Sequence, residues 1–259
     1  MLGAIVGDII GSLFEKSGKK NMNFELFTKE STFTDDTVMS FATAEVLLYQ
    51  QNNYPETYKK YGRNYPHRGY GRGFKTWLES EMLDPYQSYG NGSAMRAVPI
   101  GYAFTELYEV LAEAKKSAEA THDHPEGVKG AQSVAACVYL AKNKVSKPEI
   151  REYIRNNFGY DVYTSIEEIR PNYHFSSACQ FSVPEAIVAF LDSDDFESAV
   201  RLAISLGGDA DTQACIAGGI AHAFYGKISE EIQYITLQKI PKFFRNIWQD
   251  FKEEYKVLV

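Results

Sequence analysis

Two short acidic clusters, each directly before an apolar helical pattern, are the residues of this chain most suited to chemistry. The first is Thr-Asp-Asp-Thr at residues 34–37, and the second is Asp-Ala-Asp-Thr at residues 209–212. Asp and Thr are favoured at helix N-termini, so capping alone would explain either cluster taken singly. A helix needs only one N-cap residue, however, and each start here carries two acids beside hydroxyl groups. Together the clusters indicate a function beyond capping.

The chemistry that suits such clusters is the binding of hard metal ions. If the two helix starts converge, Asp35, Asp36, Asp209 and Asp211 bring four negative charges together. Each like-charge pair about 4 Å apart costs about 4 kcal/mol at an effective dielectric constant of about 20, and two divalent cations would remove that cost. Carboxylates and hydroxyls without His or Cys favour Mg²⁺, Mn²⁺ or Ca²⁺ over zinc. The residues therefore predict a dinuclear site, provided that the clusters meet.

The elements that must position these residues are helices. Apolar residues recur at helical spacing from residue 38 to 47 and begin again at 110–118, and the pattern returns over residues 130–142, 184–191, 196–206 and 212–225. Strand-like alternation is scarce, so we predict an all-α, bundle-like globule with one domain over residues 1–259. The least regular stretches, residues 50–93 and 156–177, are predicted to form long loops.

Three glycines, Gly3, Gly7 and Gly11, are spaced four residues apart on the predicted first helix. Each costs a helix about 1 kcal/mol relative to alanine, a cost that is tolerated where another backbone must approach closely. We therefore interpret them as the contact face of a tight helix–helix crossing. The alternative is that this small face leaves room beside a ligand.

The composition excludes several classes of protein. With 44% hydrophobic and 24% charged residues the chain is typical of globular proteins, and its net charge of −7 argues against general binding to nucleic acids or anionic membranes. Three cysteines are too few for a disulfide framework, and Cys137 and Cys215 lie in apolar helical runs, which predicts core positions in a reducing, cytoplasmic environment. Residues 1–8 lack the cationic leader of a signal peptide, and no apolar run approaches the length of a membrane span.

Five blocks of this sequence resemble the ADP-ribosylglycohydrolase family. They occur in family order, at residues 3–15, 33–37, 89–96, 121–125 and 205–212, and together span nearly the whole chain. The resemblance implies an orthogonal all-α fold with a dinuclear Mg²⁺ or Mn²⁺ centre at the base of a cleft. It also implies hydrolysis of the bond that joins ADP-ribose to an acceptor.

By this resemblance the metal ligands are Thr34, Asp35, Asp36, Asp209, Asp211 and Thr212. Two Mg²⁺ (or Mn²⁺) ions would grip the hydroxyls of the ribose under attack, with a metal-associated water as nucleophile. Glu15 is expected to act with Asp35 and Asp36 in catalysis, as a gating or acid/base group, although a solvated glutamate at the end of the first helix is the alternative. Asp8 matches a family position as well, or is a buried structural acid.

The substrate contacts are expected from a glycine-containing turn and its surroundings. The residues concerned are Gly71, Ser88, Tyr89, Gly90, Asn91, Gly92, Ser93, Met95 and His122. Glycines let a backbone approach the ribose and diphosphate, Tyr89 is a candidate to stack on adenine, and the resemblance places His122 near the diphosphate.

We make further predictions for the surroundings of Gly71, for His124 and for Arg96. Gly71 belongs to the small basic stretch 67–73, which either lines the phosphate side of the cleft or is a solvated loop. His124 is expected to cap a helix, and Arg96 to pair with a nearby acid rather than with substrate.

The expected function is metal-dependent release of ADP-ribose from a protein side chain or a small conjugate, which reverses ADP-ribosylation. The acceptor stays open among arginine, serine, O-acetyl-ADP-ribose and a nucleobase, with Glu15 favouring the serine-type and O-linked group. The alternatives are a non-catalytic ADP-ribose-binding or crystallin-like member of the same fold, and a two-metal phosphoesterase, whose sites usually mix His with Asp. Family members are often monomers, which is also the expectation for this chain.

Overall fold

The computed structural model describes residues 1–49 and 53–258, and within these ranges it contains helices but no β-strand. Gly90 and Ala178 form an isolated antiparallel bridge. The helices, and the lack of strands in the described residues, confirm the all-α prediction. The α-helices are α1 (Leu2–Gly11), α2 (Asp35–Tyr49), α3 (Tyr54–Asn64), α4 (Arg72–Glu79), α5 (Gly92–Met95), α6 (Ile100–Ala103), α7 (Leu107–Glu119), α8 (Pro125–Lys142), α9 (Lys147–Phe158), α10 (Ile166–Ile169), α11 (Val183–Leu191), α12 (Phe196–Ile204), α13 (Ala210–Tyr225), α14 (Glu230–Lys239) and α15 (Lys242–Glu254), with 3-10 helices at Arg170–Asn172 and Cys179–Phe181.

The helical patterns read from the sequence correspond to α2, α7, α8, α11, α12 and α13. On α2, Val38, Phe41 and Leu47 are buried, as an apolar stripe requires. Within the described residues, no helix is both long and apolar enough to cross a membrane.

The prediction of a long loop over residues 50–93 is wrong where this stretch forms helices. The stretch contains α3 and α4, while residues 50–52 lie outside the described part of the chain. On α3, Tyr54, Tyr58 and Tyr61 are buried at spacings of four and three residues, so the amphipathic face is built from tyrosines. These tyrosine rings carry polar hydroxyls and alternate with Lys and Arg along the sequence. The helical spacing of the buried positions was therefore hard to recognise from the sequence. The second predicted loop, 156–177, is irregular apart from the last residues of α9, the helix α10 and a short 3-10 helix.

The glycines of α1 form the contact face of a close helix crossing with α13. A Cβ atom added to Gly3 would lie 2.2 Å from the carbonyl oxygen of Gly218, and one added to Gly7 would lie 2.0 Å from that of Ala214. A Cβ on Gly11 would lie 2.5 Å from Cα of Asp211. This confirms the helix-packing interpretation, and it brings the C-terminal end of α1 against the acidic start of α13.

The C-terminal helix α15 covers the other side of α2. The ring of Phe244 stacks on that of Phe41 with 4.5 Å between centroids. Core residues from Met1 to Val257 belong to one buried cluster, so both ends of the described chain pack into the same core. Cys137 and Cys215 are buried in it as predicted.

Candidate active site

The acidic start of α2 lies against the acidic start of α13. The hydroxyl oxygen of Thr212 is 3.3 Å from Oδ2 of Asp36, and the hydroxyl oxygen of Thr34 is 3.2 Å from the same atom. Asp8, Asp36 and Asp211 each offer one carboxylate oxygen, and these three oxygens lie within 4.8 Å of one another. The two clusters that the sequence singled out therefore converge.

Asp8 joins α1 to the start of α2. Its buried carboxylate accepts hydrogen bonds from the backbone N–H of Thr34 (2.9 Å), the hydroxyl of Thr34 (2.6 Å) and the backbone N–H of Thr37 (3.1 Å), and also from the Thr37 hydroxyl. The sequence left two interpretations of Asp8 open, and the geometry combines them. Asp8 is a hydrogen-bonded structural acid that also belongs to the carboxylate cluster.

The cluster concentrates negative charge in a buried place. Burial, and next the charge of Asp211, raise the pKa values of Asp35, Asp36 and Asp209 well above the ordinary range. The same two causes raise the pKa of Asp8 to about 7, against the opposing effect of its hydrogen bonds. None of the ion pairs found among the described residues involves these carboxylates.

The donor atoms of the cluster fit divalent cations. Oδ1 of Asp36 is buried and has no hydrogen-bond partner within residues 1–49 and 53–258, although a buried unsatisfied polar atom costs about 1–3 kcal/mol. A cation at this position would satisfy that oxygen and offset the repulsion between the carboxylates. Carboxylate and hydroxyl oxygens are the ligands that Mg²⁺ and Mn²⁺ prefer.

A cavity of about 770 Å³ opens above the cluster, which is within the usual size range for ligand sites. All but one of the residues predicted for the site line it. They are Glu15, Thr34, Asp35, Asp36, Gly71, Ser88, Tyr89, Gly90, Asn91, Gly92, Met95, His122, Asp209, Asp211 and Thr212.

The exception is Ser93, whose side chain was expected to approach substrate. Ser93 is fully buried, and its hydroxyl donates to the carbonyl oxygen of Gly127 at 2.7 Å. The hydroxyl therefore anchors the 90–93 turn to α8, and the structure corrects that expectation.

Asn91 lies in the same turn and contacts the acidic cluster directly. Its side-chain Nδ2 donates to Oδ2 of Asp209 at 2.8 Å and to the hydroxyl of Ser182 at 3.1 Å. Asp209 itself makes no capping hydrogen bond to α13. The carboxylate of Asp209 is thus oriented by Asn91 and not used as a helix cap.

His122 is a neutral, buried side chain in the cavity wall. Burial, and next the charge of Arg96, lower its pKa well below the ordinary value of 6.5. Its Nδ1 lies 2.6 Å from the hydroxyl of Thr121, which accepts a hydrogen bond from Nη2 of Arg96 at 2.9 Å. The prediction that Arg96 pairs with an acid is wrong, because its guanidinium also donates to the carbonyl of Ser117 and lies 4.1 Å from the ring centroid of Tyr58.

Tyr89 stands at the mouth of the cavity with 53% of its surface exposed. Its ring meets that of His124 edge to face, with 5.4 Å between centroids. His124 caps α8, since its Nδ1 accepts from the backbone N–H of Glu126 at 3.1 Å, which confirms the capping prediction.

Glu15 lies four residues beyond the end of α1 and is partly buried in the cavity wall. Burial, and next the charge of Asp211, raise its pKa above the ordinary value, while Lys16 opposes them. This environment fits a functional acid better than a fully solvated glutamate.

Some cavity residues escaped the sequence analysis. The segment 175–178 forms part of the wall and includes the half-exposed ring of Phe175. Its backbone holds the turn, since the N–H of Asn91 donates to the carbonyl of Ser177 at 2.7 Å. No spacing or composition marks this segment in the sequence. Tyr70 could have been found, because it lies inside the glycine-rich stretch 67–73.

Known proteins are similar to this chain over most of its length. The family model for ADP-ribosylglycohydrolase matches residues 1–250. ADP-ribosylhydrolase ARH3 of Mus musculus is 27% identical, over 98% of this chain and 87% of its own length. ADP-ribosylarginine hydrolase Tri1 of Pseudomonas putida (strain GB-1) is 26% identical, over 87% of this chain and 69% of its own length.

A solved structure described as an ADP-ribosylglycohydrolase-related protein complex has a similar fold. It superimposes with a TM-score of 0.73 at 23% identity, and the match covers 100% of this chain and 96% of the other. The helical fold and the family match over residues 1–250 are those of an all-helical protein of the ADP-ribosyl hydrolase class. The chain belongs to the ADP-ribosylglycohydrolase family.

Proposed function

We propose that this protein is a metal-dependent hydrolase that cleaves the glycosidic bond between ADP-ribose and an acceptor. The observation that carries the proposal is the convergence of buried carboxylates from two helix starts at the base of a cavity of about 770 Å³. The names of the relatives, an ADP-ribosylhydrolase and an ADP-ribosylarginine hydrolase, support the same class of reaction.

Two Mg²⁺ or Mn²⁺ ions would be held by the six predicted ligands, Thr34, Asp35, Asp36, Asp209, Asp211 and Thr212. The ions would supply electrostatic stabilisation of substrate oxygens and a lowered pKa for water. The unpartnered Oδ1 of Asp36 supports this assignment, as does the proximity of Asp8, whose hydrogen bonds with Thr34 and Thr37 fix the start of α2 against α1.

The protein's own side chains would handle protons and position the reactants. Glycosidic cleavage passes through an oxocarbenium-like transition state and needs a proton for the leaving group. Glu15 has a raised pKa and lines the cavity, so it can donate that proton and later accept one from water. Asp35 and Asp36 would fix the attacking water at the base of the cavity, while Asn91 keeps Asp209 in place.

His122 would hold the diphosphate as a neutral hydrogen-bond donor. The Thr121 hydroxyl accepts from Arg96, so its single proton can go to Nδ1 of His122, and we assign the ring the tautomer protonated on Nε2. Nε2 lies beside the turn, where a Cβ added to Gly92 would be 3.2 Å away. Glycine at this position keeps the space beside the ring open for a ligand oxygen. Tyr89 is the candidate for adenine stacking.

The experiment incubates chelator-stripped protein with serine-linked, arginine-linked and O-acetyl ADP-ribose substrates. Each substrate is tested with Mg²⁺, with Mn²⁺ and with excess chelator, and released ADP-ribose is measured by mass spectrometry. We expect release only with metal. Serine-linked ADP-ribose should react fastest, because the resemblance associates a glutamate near the metals with that linkage.

Two results would overturn parts of this proposal. Absence of release from every substrate in the presence of metal would overturn the hydrolase assignment, and binding of ADP-ribose without turnover would favour a non-catalytic role. Undiminished release in excess chelator would overturn the metal dependence alone.

A further inference from the structure

A second cavity, of about 420 Å³, lies outside the site described above. It opens to solvent and is bordered by the first turns of α8 and α11, the segment after α9, the end of α10 and the 3-10 helix Cys179–Phe181. Its polar lining consists chiefly of Glu126, Lys129, Tyr160, Asp161, Gln180 and Glu185.

Unsatisfied polar atoms concentrate on these walls. The hydroxyl of Tyr160, Oε1 of Gln180 and Oε2 of Glu185 are buried and have no hydrogen-bond partner in the described parts of the chain. Tyr160 as a whole is only 4% exposed. A buried polar atom that stays unsatisfied costs about 1–3 kcal/mol, so a molecule that binds in this cavity would gain stability by completing these hydrogen bonds.

The cavity is negatively charged and rich in acceptors. The lining includes three carboxylates, of Glu126, Asp161 and Glu185, and a single ammonium group, that of Lys129. Asp161 is exposed and already accepts hydrogen bonds from the N–H of Tyr163 and the hydroxyl of Thr164. Nζ of Lys129 pairs with Oε2 of Glu126 at 3.1 Å and lies 4.6 Å from the ring centroid of Tyr160. Burial, and next the charge of Asp161, raise the pKa of Glu185 to about 7. A ligand that donates hydrogen bonds and carries positive charge suits this lining.

The spacing of the acids argues against a bare metal ion. In the described residues, the only group of three His, Cys, Asp or Glu ligand atoms lying within 4.8 Å of one another is that of Asp8, Asp36 and Asp211. The carboxylates of the second cavity do not form such a group, which favours a larger cation over a bare metal ion. We propose that this cavity binds a small organic cation whose ammonium or guanidinium groups donate to Glu185, Gln180 and Tyr160.

This second site and the first cavity share a wall. Ala178 lines the first cavity, and Gln180, two residues later, lines the second. Between them, the N–H of Cys179 donates to the carbonyl of Tyr89 at 2.9 Å. The two cavities therefore adjoin along this backbone segment.

The experiment measures binding of putrescine and agmatine to the intact protein by isothermal titration calorimetry. Saturating Mg²⁺ is present so that the acidic floor of the first cavity is compensated. Butane-1,4-diol, which matches putrescine in length without its charge, serves as the ligand control. We expect saturable binding of the diamines and none of the diol.

Substitutions test whether the diamine binds in this cavity, and two of them should change its affinity in opposite directions. Glu185→Gln should weaken the affinity for putrescine about tenfold by removing a charged acceptor, and Lys129→Gln should strengthen it several-fold by removing the competing ammonium. Glu152→Gln, at an exposed glutamate of α9 outside the cavity, should change nothing. Equal affinities in all four proteins, equal binding of the diol, or no binding to the wild-type protein would each overturn the proposal.

Discussion

Acidic helix starts occur in this molecule in two physical forms. At α9, Ser146 and Glu149 form an exposed capping box, and hydrogen bonds from Ser146 lower the pKa of Glu149. At α2, the carboxylate of Asp36 is buried among other carboxylates, and its pKa is raised. Similar patterns of hydroxyl and acid residues are therefore associated with a lowered carboxylate pKa at α9 and a raised carboxylate pKa at α2.

This difference shows how an acid that caps a helix can be distinguished from an acid that we propose to bind metal. A capping acid is satisfied by the backbone of its own helix, as Glu149 is. Asp209 makes no capping hydrogen bond, and its carboxylate instead accepts from Asn91. What distinguishes the buried acids is a second acidic helix start packed against them, whose repulsion a bound cation would offset.

The largest expected effect separates these two kinds of acid. Asp36→Asn and Asp211→Asn should each lower turnover by more than about a hundredfold, since even an outer partner of a metal ligand contributes about 10–100-fold. The matched change at a capping acid, Glu149→Gln, should leave turnover unchanged. Steady-state release of ADP-ribose measures the effect, and far-UV circular dichroism checks the fold. Wild-type rates in both aspartate variants would contradict the assignment.

The next effect concerns the orientation of Asp209. Asn91→Ala should lower Mn²⁺ affinity and turnover about 10–100-fold, because Nδ2 of Asn91 holds that carboxylate. Ser182→Ala is the control, since Ser182 touches the same amide without touching Asp209. If the two variants lose equal amounts of Mn²⁺ affinity, the hydrogen bond to Asp209 has no special role.

A third change tests the helix crossing that brings the acidic starts together. Gly7→Ala should destabilise the fold by about 1–3 kcal/mol and weaken metal binding, because the new methyl group would lie 2.0 Å from the carbonyl oxygen of Ala214. Gly159→Ala, at the left-handed end of α9, should destabilise by about 1 kcal/mol and leave metal binding intact. Thermal denaturation with and without Mn²⁺ distinguishes the two. Unchanged metal affinity in Gly7→Ala would show that the crossing does not position the site.

The smallest expected effect is a pair of opposite pH dependences. Glu185 opens α11 in a buried position, and burial raises its pKa from 4.5 to about 7, so its contribution to stability falls as pH rises through that range. Glu185→Gln should therefore raise the melting temperature by a few degrees at pH 8. The pKa of Glu149 is lowered, so its contribution is present above about pH 4.5 and is lost as pH falls through its folded-state pKa. Glu149→Gln should lower the melting temperature slightly at pH 8 and by less as the pH falls below about 4.5. The same sign for both variants at pH 8 would contradict the comparison.

Much of the site could be predicted from the sequence because its chemistry is concentrated in short motifs. Residue type identified the two clusters, and the spacing of Gly3, Gly7 and Gly11 identified the helix face that packs against α13. The convergence itself depends on how α1 pairs with α13, and residue spacing carries no direct information about that pairing.

The failures have local physical causes. Helix α3 buries tyrosines whose polar ends made its apolar face hard to recognise. Arg96 contacts a carbonyl oxygen, a hydroxyl group and an aromatic ring instead of an acid. No sequence pattern predicts contacts of this kind. Backbone hydrogen bonds hold residues 175–178 in the cavity wall, and such bonds do not depend on side-chain identity.

A titration of metal-free protein with Mn²⁺, with free Mn²⁺ followed by electron paramagnetic resonance, tests the central claim most directly. The convergence of the two helix starts predicts two bound ions per chain, with at least one lost in Asp36→Asn and in Asp211→Asn. Glu149→Gln should bind the same number as the wild-type protein. A wild-type protein that binds no Mn²⁺, or aspartate variants that bind it as the wild type does, would contradict the account.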